Sequence, residues 1–275
     1  MPTKAIPTRP SKKRSNLTLL RIYLISVGKA IPTENYFEFP IYLRAGAFSS
    51  SGFLNDLVID EADGGYAYIT ENSDYDPGLI VYSRFQNRAW KLRDRSMFAE
   101  LGASNFAVSG IKNNRLINVD GIAISPLPKR KNQDRLVYYC PISSTNLFAI
   151  SNSILKHERL SHTDRWRKYI RYIGRKQGQS DGLIIDNVGN FYYGLLNLYA
   201  IGKWSIYEPF ITSTIIDQSK EIFQWPDSFG FDSKGYLYVL CNNINKFLNG
   251  QVTITKEIKY KISRTFTGTN NYLHN

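Results

Sequence analysis

The densest group of chemistry-bearing side chains lies between residues 159 and 176. It holds Arg159, Arg165, Arg167, Lys168, Arg171, Arg175 and Lys176, with Trp166, Tyr169 and Tyr172 interleaved. Cations beside stacking aromatics are what a polyanion or a single nucleic-acid strand requires. The competing reading is a solvated loop and an outer strand, with long side chains lying along the surface and their charged ends in water. That simpler reading is the expectation, and it calls for no nucleic-acid partner. Lys129, Arg130 and Lys131 form a second basic run in a hairpin loop and read the same way. Other chemistries find less support. His157, His162 and His274 are the only histidines, and none sits in a ligand-spaced cluster with cysteines or carboxylates, so no metal is expected. A hydrolase would set a Ser or Cys beside a His and an orienting acid, and no His falls in a segment expected to face a cavity. There is no phosphate-binding glycine loop and no sign of a cofactor.

The elements that must position any site are repeated hairpins. Gln224 to Gly250 reads strand, tight turn, strand: Phe229 and Phe231 alternate with small residues, Asp232-Ser233-Lys234-Gly235 turns, and Tyr236-Leu237-Tyr238-Val239-Leu240 suits a pleated surface. The same pattern begins at Asn55-Asp56-Leu57, at Asp120-Gly121-Ile122 and at Ser180-Asp181-Gly182. The starts lie roughly 45–65 residues apart, a range in which repeats mean propellers or arrays. A unit that cannot bury its own apolar face needs neighbours stacked beside it. The fold class expected is therefore all-β, a β-propeller with its function where the blades converge.

Innermost strands of such a ring face its channel, so their polar residues are ligand candidates: Thr70, Asn72, Ser143, Thr145, Ser180 and Asp181. Asp60, Asp186 and Asp232 precede turns, and turn chemistry accounts for them. Tyr68, Tyr138, Tyr192 and Tyr238 recur at one place in each repeat and read as core. Cys140 and Cys241 fall late in the second strand of two hairpins and read as buried free thiols. A bond between them would need Cα atoms within about 7 Å, which spacing along the chain does not fix.

Composition agrees with one sheet-rich domain. The chain has 275 residues, 43% hydrophobic and 14% aromatic, with 19 Tyr and 15 Phe. Its 35 basic and 23 acidic residues give +12, which attracts polyanions but says nothing about fold. Residues 12–30 have the basic-then-apolar outline of a signal peptide, yet Arg21 interrupts the apolar stretch, which is too short to span a bilayer. Strands over 20–26 and 37–40 are the better reading, and no membrane association is expected. Residues 1–15 read as a disordered basic tail, 16–262 as a partial propeller, and 263–275 as a flexible C-terminal tail. Between them, 93–118 reads as an irregular inter-blade connection, 151–168 as a short helix or a loop, 244–248 as part of the last blade, and 252–260 as a possible strand.

Several motifs, in order, resemble a known family. They are Gly78-Leu79-Ile80-Val81-Tyr82, Asp120-Gly121-Ile122-Ala123-Ile124-Ser125-Pro126, Tyr138-Tyr139-Cys140-Pro141-Ile142-Ser143-Ser144-Thr145-Asn146-Leu147, Gly178-Gln179-Ser180, Phe191-Tyr192-Tyr193-Gly194-Leu195, and Trp225-Pro226-Asp227 through Asn242. Together they resemble the yellow and major royal jelly protein family of insects. The resemblance implies a secreted, extracellular six-bladed propeller, of which about four and a half blades fall within this chain. It depicts relatives that act in cuticle pigmentation, that feed larvae, or that bind biogenic amines in the channel, and some linked to dopachrome conversion. Carried over by position, it makes Asp227 and Asn242 polar contacts to a small aromatic amine or catechol, with Ile244 where relatives often place an aromatic. A primary amine needs acceptors, which a carboxylate and an amide oxygen supply. A pigmentation enzyme would use Asp227 as its base; a structural or polyanion-binding protein would need neither. Two departures stand out: Lys203 precedes Trp204 where relatives often have Cys, and the family's opening blade and a half has no counterpart here.

Overall fold

The computed structural model describes residues 52–128, 130, 133–250 and 260–273 with their side chains, and 18–22 and 39–43 as backbone. Strands β1 (Thr18–Ile22) and β2 (Phe39–Leu43) pair as an antiparallel hairpin. The expected basic tail at 1–15, the run at Lys129 and Lys131, and most of 252–260 lie outside the described residues.

Four antiparallel meanders follow. The first blade is β3 (Leu54–Asp60), β4 (Tyr66–Glu71), β5 (Gly78–Ser83) and β6 (Arg88–Leu92). A small hairpin, β7 (Phe106–Val108) and β8 (Ile111–Asn113), sits within the 93–118 connection. The second blade is β9 (Val119–Ile124), β10 (Leu136–Pro141), β11 (Asn146–Ser151) and, after short helices α1 (Asn152–Leu155) and α2 (Glu158–Ser161), β12 (Arg171–Arg175). The third is β13 (Leu183–Ile185), β14 (Asn190–Leu195), β15 (Ala200–Ser205) and β16 (Thr214–Gln218). The fourth has β17 (Pro226–Phe231), β18 (Tyr236–Cys241) and β19 (Lys261–Phe266), with helix α3 (Ile244–Leu248) between the last two.

Period-two alternation decides how the blades stack, because successive side chains leave opposite faces of a strand. Tyr139 joins the core shared with Tyr68, Val81 and Trp90 of the first blade. Its neighbour Tyr138 points the other way, into a core with Phe191, Tyr193 and Trp204 of the third. The next pair repeats this: Tyr193 faces the second blade and Tyr192 packs on Phe231 and Leu237 of the fourth. The inner strands of each sheet so described are buried on both faces, and β3, β9, β13 and β17 stand side by side as the inner wall. This is a β-propeller arrangement of four blades, as the repeats imply. Cys140 and Cys241 are buried free thiols, in different inter-blade cores.

Two glycines set how closely the inner strands approach. A Cβ on Gly121 would stand 2.0 Å from the Asp181 carbonyl oxygen, and one on Gly182 would stand 2.2 Å from that of Asp227. Both atoms are backbone and cannot swing aside. Gly182→Ala is therefore expected to cost about 1–3 kcal/mol by forcing the wall apart. Urea titration checks this: the midpoint should fall with the slope unchanged.

Some expectations are corrected. Residues 244–248, expected as part of the last blade, form a helix between two of its strands. The 151–168 stretch is helical in two short pieces, followed by a 3-10 turn at Arg165–Tyr169. The C-terminal stretch expected to be flexible from 263 instead finishes β19. It then runs past the β17–β18 turn, where Thr267 N donates to Gly235 O (2.9 Å). It pairs Asn271 with Asp186 at the third blade and buries Tyr272, whose hydroxyl accepts from Ile59 N at 3.0 Å in the first. The Arg135 guanidinium lies 5.3 Å from the Tyr272 ring centre. The physical reason is long-range: backbone pairing and an aromatic socket order a segment whose local composition is polar.

Candidate functional site at the axis

Each repeat delivers an aspartate to the inner wall near the start of its first strand: Asp56 on β3, Asp120 on β9, Asp181 just before β13 and Asp227 on β17. The Asp-Gly pairs explain the geometry. At Asp120-Gly121 and Asp181-Gly182 the glycine admits the backbone carbonyl of the next blade close beside the aspartate.

Asp120 Oδ2 accepts from Asn72 Nδ2 at 2.7 Å and also from Asn55 Nδ2. The Asp181 carboxyl hydrogen-bonds Asp120, while its Oδ2 accepts the indole N–H of Trp225 at 2.5 Å. Asp56 Oδ2 accepts a longer bond from Ile122 N at 3.4 Å, and Thr70 clamps the Asp56 backbone, accepting from its N–H (2.9 Å) and donating to its C=O (3.2 Å). Asp227 Oδ2 accepts from Ser228 Oγ at 3.0 Å.

Burial dominates the electrostatics. It pushes the Asp56 carboxyl up to about 7; the Leu57 N–H opposes the shift, and the charge of Asp120 adds to it. Burial likewise raises Asp120, and it raises Asp181 well above the usual carboxylate range, helped there by the charges of Asp120 and Asp227. Burial and the mutual repulsion of these carboxylates both disfavour the charged forms of Asp120 and Asp181. Among the described residues no three His, Cys, Asp or Glu side chains are placed to hold a metal ion.

The 93–118 connection covers this end of the ring. Phe106 and Val108 pack with Ile142, Leu196 and Trp225, and Ser109 N, the Val108 C=O and the Ala103 C=O are fastened to Tyr199, Asn245 and Gln179.

The sequence candidates divide. Asp181, Asp227, Asn72 and Thr70 come together at the axis, and Ser180 is buried beside them with no partner for its hydroxyl. Four lie elsewhere. Ser143 is buried and ties down the connection, accepting from Ile117 N and donating to Arg115 O. Thr145 accepts from Arg175 Nε at the outer part of its blade. Asn242 Oδ1 accepts from Ile244 N at the start of α3, and Ile244 packs against the Trp225 cluster. Asp186 and Asp232 cap their turns through backbone N–H groups, whereas Asp60 also holds buried Arg135 and Lys156. Asp56 and Asp120 are the axial residues that residue-by-residue reading missed. Their signal was the repeat itself, since all four aspartates occupy nearly the same column of it.

The stacked blades and the acidic groups on their inner wall define a β-propeller with its buried carboxyls gathered at the axis. The sequence profile described as "Major royal jelly protein" matches residues 40–269, and the chain belongs to that family. Dopaminechrome tautomerase of Drosophila melanogaster is 23% identical over 219 residues, 75% of this chain and 46% of that protein. Protein yellow of Drosophila yakuba is 24% identical over 204 residues, 71% of this chain and 37% of that one. The chain thus spans less than half the length of these curated relatives. Among solved structures, a luciferin-regenerating enzyme matches with a TM-score of 0.48 and 14% identity, covering 80% of this chain and 64% of its own. Regucalcin from Agrobacterium tumefaciens matches with a TM-score of 0.45 and 10% identity, covering 81% and 65%. No described helix is long and apolar enough to cross a membrane.

Proposed function

We propose that the axial aspartates bind a small aromatic amine or a catechol-derived cation. One observation carries this reading: four carboxylates converge at the axis of a chain whose net charge is +12. Such a concentration of acid, held at an energetic cost in burial, is relieved by a cation. Trp225, whose indole N–H already bonds Asp181, is the aromatic side chain nearest these carboxyls. Export from the cell, as expected of the family, belongs to this reading as well. Isothermal calorimetry with dopamine and serotonin tests it, with catechol and indole as uncharged controls. Amines should bind more tightly at pH 8 than at pH 6, because the carboxyls ionise across that interval. Equal affinity for charged and uncharged ligands, or no pH dependence, would overturn it.

The raised carboxyls and the dopaminechrome tautomerase among the relatives favour a second reading, proton transfer on an aminochrome. One carboxylate would take a ring C–H proton and a neutral carboxyl would return one to the ring oxygen, a net isomerisation needing no redox partner. Asp120 and Asp181 then serve better than Asp227, since their carboxyls hydrogen-bond each other and burial raises both. Dopaminechrome decay followed by absorbance distinguishes the readings: binding without turnover leaves the first alone.

A further inference from the structure

We propose that the outer rim of the second blade, from α2 through β12, docks a sulfated polysaccharide. Residues 156–176 hold eight cations against two carboxylates, so six of the chain's twelve excess positive charges fall in one short stretch. Arg159, Arg165, Lys168, Arg171 and Arg175 are exposed, and none has a carboxylate partner among the described residues. The two acids of the stretch are already taken: Glu158 pairs with Arg88 at 2.6 Å and Asp164 with Arg167 at 2.9 Å.

The form of this charge selects the partner. A groove of about 160 Å³ lies alongside, lined by Lys91, Arg93, His162 and Arg167 among others. Its cations are internally matched, Lys91 to Glu71, Arg93 to Asp76, and Arg167 to Asp94 and Asp164. The groove is therefore no trap for a small anion, and the uncompensated charge lies along the ridge outside it, where an extended polymer can span several cations at once. A nucleic-acid strand would want open rings on which bases stack. Here the largest ring, Trp166, is buried, and the two exposed rings are already engaged: Tyr169 has the Lys168 ammonium 5.1 Å from its ring centre, and Tyr172 packs edge-on against Phe148. What remains is spaced charge, which sulfate groups on a flexible chain match.

The test uses the intact chain on immobilised heparin and, in solution, a heparin oligosaccharide and a single-stranded DNA of equal charge, all at 0.15 M salt. One variant carries R165S, K168S, R171S and R175S. A second carries K112S, R115S, K220S and K234S, four exposed cations elsewhere, and so loses the same net charge. Melting curves establish that both are folded. The first variant should lose at least tenfold in heparin affinity and elute at lower salt, the second should stay within twofold, and DNA should bind at least tenfold more weakly than heparin. Equal losses in the two variants, DNA binding as tight as heparin, or no heparin binding by the unaltered chain would each overturn the proposal.

Discussion

At pH 8, Asp120→Asn is expected to raise the melting temperature while lowering affinity for a cationic amine by at least tenfold. Asp120 is almost wholly buried, and burial raises its carboxyl. Above that raised value the folded state must carry a charge in a poor environment that the unfolded chain keeps in water. The sign follows from linkage: between about pH 4 and pH 7 the folded protein holds protons that the unfolded chain, titrating near 3.8, has released. Stability therefore falls as pH rises through that window. Asparagine removes the charge and keeps an oxygen for Asn55 or Asn72, so the variant should gain on the order of 2 kcal/mol at pH 8, several degrees in melting temperature. Its stability should also depend less on pH between 5 and 8. A ligand that relies on a charge-assisted bond loses about 1.5–3 kcal/mol with it. Thermal melts across pH and calorimetry at pH 8 check both halves; a lowered melting temperature with an unchanged pH slope would contradict the account.

Asp60→Ala should do the opposite and cost about 3–5 kcal/mol, because it strands the buried Arg135 guanidinium and strips Lys156 of its interior partner. Asp60 is fully buried, with Oδ1 on Arg135 (2.9 Å) and Oδ2 on Lys156 (2.7 Å) and Asn152 (3.0 Å). Burial pushes its carboxyl up, but the Lys156 hydrogen bond and the charges of Arg135 and Lys156 outweigh that and leave it below 3.8. Its contribution is thus complete above pH 4 and is lost only in stronger acid. Urea unfolding at pH 7 measures the cost. Asp63→Ala is the control: Asp63 also pairs with Lys156, at 2.8 Å, but is 73% exposed, and its loss should cost less than about 1 kcal/mol.

These residues show what could be read from sequence and what could not. The hairpins were legible because Tyr138 and Tyr139, or Tyr192 and Tyr193, serve opposite faces, and that alternation is written in adjacent letters. The glycines after Asp120 and Asp181 were visible, although their purpose, a neighbouring carbonyl about 2 Å from where a Cβ would be, exists only between blades. Asp60 looked like its counterparts Asp186 and Asp232, and only the arrival of Arg135 and Lys156 from another blade changes its role. Residues 244–248, Ile-Asn-Lys-Phe-Leu, are too few for periodicity to separate helix from strand. Asn242 and Ile244 followed a positional analogy, and the helix that begins there turns both to structural work.

Tyr272 gives the chain an order of assembly. Every blade is a run of neighbouring hairpins that can pair as it leaves the ribosome, but the bond from Ile59 N to the Tyr272 hydroxyl joins residues 213 positions apart. At equilibrium that separation costs little, since closure entropy grows only by about 0.6 kcal/mol for each doubling of the loop. In time it matters far more: until Tyr272 is translated, Ile59 and Arg135 lack their aromatic cover, and the inner wall is held by its blades alone.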